Sequence, residues 1–233
     1  MVYFKLLLLA VCLALSSALP AQLFRKTGDR KNGINSTRVS GTYGVDLSSK
    51  FSQNDFSCLK SNGFDYAIIR GYESFGAPDP NAAVNIQNAR DAGFQYVDVY
   101  MFPCPQCSKS ATDQVKEMVD ALSGSNYGQI WLDIEGSEYW LKSCDENQQF
   151  FEELFSAARD YKTTGVYASK SQWIPIMGDG YSGGSSAQLW YAHYDDNPSF
   201  SDFEAFGGWS RPAIKQYEGD AVVCGVDIDK DWY

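Results

Sequence analysis

Apolar residues along this chain recur in two rhythms that alternate. Short β-branched or aromatic runs fall at Thr42 to Asp46, Asp65 to Gly71, Gln95 to Phe102, Gly128 to Ile134 and Thr164 to Ser169, and each reads as a strand. Each is followed by a stretch whose apolar spacing is about 3.6 residues, the mark of a helix with one buried face. These stretches are Asn54 to Asn62, Asn81 to Ala92, Ser110 to Leu122, Glu146 to Tyr161 and, more weakly, Lys170 to Met177. Such alternation predicts parallel strands joined by crossover helices.

After residue 178 the rhythm changes. Gln188 to His193, Ala213 to Tyr217 and Val222 to Ile228 are three further strand-like runs, separated only by a loop rich in Gly, Ser, Asp and Pro and by a tight turn. No room remains for two more full crossover helices. The expectation is one α/β domain over residues 41–233, a modified TIM-like barrel of eight strands and about five helices ordered (β/α)5(β)3, unlike the regular eightfold alternation.

The start of the chain reads differently. Lys5, the apolar run Leu6 to Leu15 and the small residues Ser16, Ser17 and Ala18 have the layout of a cleaved export signal over residues 1–18. Residues 19–40, with Gly28, Gly33 and scattered basic residues but little apolar periodicity, read as a flexible extension. Within it Asn35-Ser36-Thr37 fits a glycosylation acceptor at Asn35. No later run is apolar enough to span a bilayer, so the expected location is secreted or lumenal, with no membrane partner.

Formal net charge is −10, one unit more negative once Lys5 leaves. That balance argues against a nucleic-acid partner, and against simple electrostatic adhesion to anionic surfaces. An acidic working compartment would relieve the repulsion by protonating carboxylates. Cys12 leaves with the signal, so Cys58, Cys104, Cys107, Cys144 and Cys224 remain, an odd set that implies at least one free or intermolecular thiol. Cys104 and Cys107 have redox or zinc spacing, but no second pair at metal spacing follows and export favours structural bridges. A Cys58 to Cys224 bridge would join the two ends of the domain; the connectivity stays open.

In strand-led barrels, chemistry sits at the carboxyl ends of strands. Asp46 ends the first predicted strand, Asp133 and Glu135 end Ile130-Trp131-Leu132-Asp133-Ile134-Glu135, and Asp227 ends Val222 to Asp227. Residues two apart on a strand project from one face, so Asp133 and Glu135 can address one substrate. Crowded acids in a partly apolar mouth raise the pKa of one and leave another ionised, the division of labour that glycoside hydrolysis requires. An isolated D-x-E is more often a solvated strand end; here the apolar lead-in of Ile130, Trp131 and Leu132 argues for a buried strand whose acids face something useful. Asp46 and Asp227, taken singly, serve equally well as caps.

Aromatic residues, 15% of the chain, cluster near the same strand ends, with Tyr100, Tyr167, Trp190 and Tyr217 as candidate sugar-stacking platforms. Taken singly, most such residues belong to cores. His193, the sole histidine, excludes a multi-histidine zinc centre and reads as a rim or packing residue.

These residues resemble glycoside hydrolase family 25, the lysozymes, over about Thr42 to Tyr233. The likeness rests on Tyr43-Gly44-Val45-Asp46-Leu47-Ser48, Asp98-Val99-Tyr100-Met101-Phe102-Pro103, Leu132-Asp133-Ile134-Glu135, Gly165-Val166-Tyr167, Leu189 to Tyr194, Lys215-Gln216-Tyr217 and Val226-Asp227. The cysteine pattern and Asn85-Ile86-Gln87-Asn88-Ala89 are similar to the nematode branch. The resemblance implies a flattened barrel that cuts the β-1,4 bond between N-acetylmuramic acid and N-acetylglucosamine in the glycan strands of bacterial peptidoglycan, in defence or digestion. It implies Glu135 as general acid, Asp133 as the group that polarises the substrate acetamido, and Asp46 and Asp227 as charge-tuning, sugar-binding groups. No metal or cofactor is implied, and a monomer is expected. Two positions depart from the pattern: Met101 stands where histidine is more common, and Asp229 where asparagine is usual, adding an acid to the mouth. A low-activity carbohydrate-binding or signalling barrel is the rival reading, and a thiol-active protein using Cys104 and Cys107 a more distant one.

Overall fold

A computed structural model describes residues 40–233. The expected signal, the extension before residue 40 and Asn35 lie outside the described residues. The elements run β1 (Tyr43–Leu47), α1 (Gln53–Ser61), β2 (Tyr66–Glu73), β3 (Ala77–Pro78), α2 (Ala82–Asp91), β4 (Tyr96–Met101), α3 (Ala111–Ala121), β5 (Ile130–Asp133), α4 (Cys144–Arg159), β6 (Thr164–Tyr167), α5 (Lys170–Met177), β7 (Leu189–Ala192), β8 (Ile214–Val223) and β9 (Val226–Trp232), with a single 3-10 turn at Ser137–Tyr139. The sheet order is β1-β9-β8-β7-β6-β5-β4-β2-β3, and an added parallel pairing of β1 with β2 closes it. Eight strands thus form the barrel with five α-helices outside, as the alternation predicted. The two-residue β3, an antiparallel appendage on β2, is an addition.

The chain's last strand differs from its expected bounds. The apolar run Val222 to Ile228 spans a hairpin: Val222 and Val223 finish the long β8, Cys224 and Gly225 turn with φ of 58° and 79°, and β9 continues to Trp232. The tight turn expected near Glu218 is instead a pair of irregularities within β8. Antiparallel to both β8 and β1, β9 is the strand that seals the barrel. Its polar alternation, Asp227-Ile228-Asp229-Lys230-Asp231, hides it from an apolar search.

Strand alternation separates two cores. Val97, Val99, Met101, Ile130, Leu132 and Val166 face outward to the helices, whereas Tyr66, Ile68, Trp131, Tyr167, Trp190 and Ile214 fill the barrel. Met101 is fully buried in the outer core, away from any polar role in the mouth. Two strand glycines make room for the filling: a Cβ at Gly44 would lie 2.2 Å from the Tyr66 ring, and one at Gly165 would lie 2.4 Å from the Trp131 ring. Ser52, Ser110, Ser143 and Ser169 cap α1, α3, α4 and α5 by accepting from the third backbone N–H of each helix. The Ser143 cap starts α4 at Cys144, two residues ahead of the expected Glu146.

Cys58 of α1 is bridged to Cys224 in the β8–β9 turn, and Cys104 to Cys107. Cys144 is disulfide-bonded as well, so no described cysteine is free, against the expectation of an unpaired thiol. The 166-residue separation of Cys58 and Cys224 makes their bridge the longer-range constraint. Replacing both with serine should lower stability by about 2–4 kcal/mol. Guanidinium unfolding would report this as a lower midpoint; an unchanged midpoint would show that the hairpin needs no tether.

Candidate active site

The mouth lies where β1 and β5 end and β9 begins. Asp46 and Asp133 are both nearly inaccessible, at 5% and 3% exposure. Glu135, two residues past Asp133, is only partly buried. Its backbone is held from both sides: Trp140 Nε1 donates to the Glu135 carbonyl at 2.9 Å, and the Gly136 N–H donates to Gln172 Oε1 at 3.0 Å. Gly136 takes φ of 63°, a conformation glycine adopts without strain, and so turns the chain away from the mouth directly after the acid.

β9 supplies acids in a row, because residues two apart share its inner face. Asp229 is the register partner of Asp46, and Asp231 sits one pair deeper, opposite Gly44. Asp227 lies at the outer rim, exposed, where it lines a small cleft with Asp46, Tyr100, Asp220 and Asp229. The inner quartet is therefore Asp46, Asp133, Glu135 and Asp229, with Asp231 beneath it. Asp227 stands at the entrance because β9 begins, rather than ends, at the mouth.

Gln216 of β8 organises the cluster. Its Nε2 donates to Asp46 Oδ2 at 2.7 Å, while its Oε1 accepts from the hydroxyls of Tyr167 at 2.7 Å and Tyr194 at 2.8 Å. A neutral amide can serve a carboxylate on one side and phenols on the other. Trp190 Nε1 donates to Asp231 Oδ1 at 2.8 Å. The indole, packed against Trp131, Tyr100 and Tyr167, is floor beneath the acids rather than an open platform. Tyr167 is likewise buried, and only Tyr100 reaches the cleft. Tyr217 is carried elsewhere: it packs edge-on to Tyr43 in the outer core. His193 is at the rim, 56% exposed, with Nδ1 2.5 Å from Asp202 Oδ2.

No ion pair among the described residues involves any carboxyl of the quartet or Asp231. Burial is therefore the first cause acting on each of them. It pushes Asp46 well above the usual carboxylate range, with Asp229 adding repulsion, and does the same to Asp133, where Glu135 and Asp46 add theirs. Glu135 is raised by burial and then by the charge of Asp229. Asp231 is raised by burial and then by the charge of Asp46. Asp231 Oδ2 is buried without a hydrogen-bond partner, so nothing offsets burial of charge on that oxygen.

A family model described as lysozyme-like protein 1 matches residues 37–217. A probable glycoside hydrolase family 25 lysozyme of Dictyostelium discoideum is 54% identical over 84% of this chain and 92% of its own length. The chain belongs to glycoside hydrolase family 25. Lysozyme-like protein 5 of Caenorhabditis elegans is 38% identical, covering 81% of the chain and 90% of that relative. A family 25 lysozyme structure from Aspergillus fumigatus, 20% identical, superposes with a TM-score of 0.70 over 83% of this chain and 94% of that one, and shares the barrel. As a family 25 glycoside hydrolase, the chain carries Asp231 as the acid that sequence reasoning did not single out. The strict D-x-D-x-D alternation was its signal, had the run been recognised as a strand.

A group whose folded pKa is raised stabilises the fold below its unfolded pKa and loses that contribution as pH rises through the folded value. The melting temperature should therefore fall as pH rises above the ordinary carboxylate range. In Asp231→Asn, which keeps an acceptor for Trp190 and a donor for Asp46, the fall should be shallower. An identical slope in the variant would show that Asp231 holds no proton.

Proposed function

We propose that the chain is a muramidase that hydrolyses the β-1,4 bond between N-acetylmuramic acid and N-acetylglucosamine in bacterial peptidoglycan, outside the cell or in a lumenal compartment, in defence or digestion. The observation that carries this reading is the contrast between Glu135, raised yet solvent-reachable, and the deeply buried Asp133 and Asp46 around it. A general acid must hold a proton near working pH and must reach the glycosidic oxygen; the raised pKa and partial exposure of Glu135 support that role. The relatives' names support the substrate, and the bridges suit an oxidising compartment. Among the described residues, no helix is long and apolar enough to cross a membrane.

In this mechanism Glu135 donates its proton to the bridging oxygen as the bond from that oxygen to the sugar C1 breaks. The acetamido oxygen of the same sugar attacks C1, while Asp133 accepts the acetamido N–H and stabilises the positive charge that develops. Water then adds to C1, opens the oxazolinium ring and returns a proton to Glu135. Asp133 Oδ1, buried without a partner, is suited to receive that N–H. Asp46, fixed by Gln216, and Asp229 supply the negative field that favours an oxocarbenium-like transition state. Asp227, at the rim, is placed to bind a sugar hydroxyl as the strand enters.

Glu135→Gln should lower the release of soluble fragments from purified peptidoglycan by about 10²–10⁴-fold. Mass analysis of wild-type products should find muramic acid at the reducing end; products with glucosamine there would overturn the assignment, and glycan binding without release would favour a binding protein. Asp229→Asn removes a negative neighbour of Glu135, so the basic limb of kcat/KM against pH should move to lower pH. A limb that stays in place would mean that Asp229 does not act on the acid.

A further inference from the structure

A cavity of about 350 Å³ opens at the far end of the barrel from the carboxylates. The order of the strands fixes its place. Tyr66 and Tyr96 are the first residues of β2 and β4, Gln129 and Gln188 directly precede β5 and β7, and Tyr233 follows β9, which runs the other way. The mouth lies where β1 and β5 end, so this cavity lies at the opposite rim. Trp131, one of the rings that fill the barrel, contributes to its wall.

The lining combines open rings with polar groups. Tyr96 and Tyr233 are 62% and 42% exposed, so aromatic surface stays available at the entrance. Asp98 is partly buried; its Oδ1 accepts from the Gln129 N–H at 2.8 Å and its Oδ2 from Trp131 Nε1 at 3.1 Å. These contacts fix the carboxyl yet leave each oxygen a further lone pair. Gln129 Nε2 and the Tyr66 hydroxyl are buried without a hydrogen-bond partner, although buried polar groups are nearly always paired. Among the described residues no lysine or arginine lines the cavity. Arg90, whose charge reaches Asp98, is committed to the carbonyls of Phe94, Gln95 and Asn126.

This chemistry decides between kinds of occupant. An anion would meet an acid with no cation to receive it. A quaternary ammonium would suit Asp98 and the rings, but it offers no acceptor to Gln129. A neutral sugar satisfies all three: its hydroxyls donate to Asp98 and accept from Gln129, and its C–H face lies against a tyrosine ring. We propose that the cavity is a second carbohydrate site, which takes one neutral pyranose unit of a glycan at the end of the barrel remote from the catalytic acids. Asp98 and Gln129 hold the polar substituents of that unit, Tyr96 stacks on its face, and Gln188 meets it at the rim. The volume is at the low end of the roughly 300–1,000 Å³ of small-molecule sites, room for a single unit rather than a strand. Such a site holds glycan whether or not Glu135 cleaves it.

The test titrates chitotetraose, a neutral β-1,4 oligomer of N-acetylglucosamine, into Glu135→Gln protein. Tyr96→Ala and Gln188→Ala in that background, both truncating exposed side chains, should each weaken one binding event about fivefold and leave any second event, at the mouth, unchanged. With Glu135 intact, both variants should keep the wild-type kcat/KM on a short soluble glycan. Adsorption of the Glu135→Gln proteins to purified peptidoglycan identifies the source of the sugar: weaker adsorption of both variants assigns the site to the wall strand, and equal adsorption assigns it to a free oligosaccharide. Chitotetraose binding untouched by both substitutions would overturn the proposal, and so would tetramethylammonium binding there in the sugar's place. Variants that slow cleavage of the soluble glycan would put the cavity in the service of the mouth and overturn it too. Thr42 and Tyr233 exchange backbone hydrogen bonds at this rim, so sugar binding seen only after truncation before residue 40 would assign the cavity to the chain itself and overturn the proposal. Absence of cleavage by every protein would count against the muramidase reading alone, since the titration reads binding.

Discussion

Five carboxyl groups crowd one end of a closed barrel and, among the described residues, none of them forms an ion pair; this crowding governs the site. Burial and mutual repulsion raise their pKa values, most strongly at the inaccessible Asp46, Asp133 and Asp231. A salt bridge to any one of these acids would improve stability and lower the very pKa that Glu135 needs raised.

The rest of the barrel supports that crowding. Trp131, Trp190 and Tyr66 fill the interior below the acids, and Gly44 and Gly165 stand where the Tyr66 and Trp131 rings approach the backbone. Gln216 fixes Asp46 with a neutral amide, so it orders the site without screening it. The strand that closes the barrel is also the one that delivers Asp229 and Asp231, so closure and charge placement are a single structural event.

Much of this was legible in the residues. Five strand–helix units with Ser caps give local signals, each helix start differs from its reading by at most two residues, and the acids at the ends of β1 and β5 follow from parallel topology. The end of the chain was harder. Val222 and Val223 look like the core of a strand that begins there, yet they finish β8, and an antiparallel β9 reverses which end of the D-x-D-x-D run meets the substrate. That reversal moves Asp227 to the rim and brings Asp229 inward. The aromatic candidates were ambiguous for a related reason: side-chain parity on a strand decides between barrel interior and outer wall, and the irregularity between Gln216 and Glu218, beside Tyr217, disturbs simple parity counting.

Lys215 gives the register of β8 a chemical meaning. Its side chain is wholly buried outside the barrel wall, where Nζ lies 2.8 Å from Asp195 and 2.9 Å from Asp202, while its neighbour Gln216 faces inward. Slipping the strand by a single residue would exchange the two faces. An ammonium would then sit where the amide now stands and discharge the acids, and the strand's packed faces would be exchanged. Correct strand alignment is thus as much a condition for turnover as the presence of the carboxyls themselves.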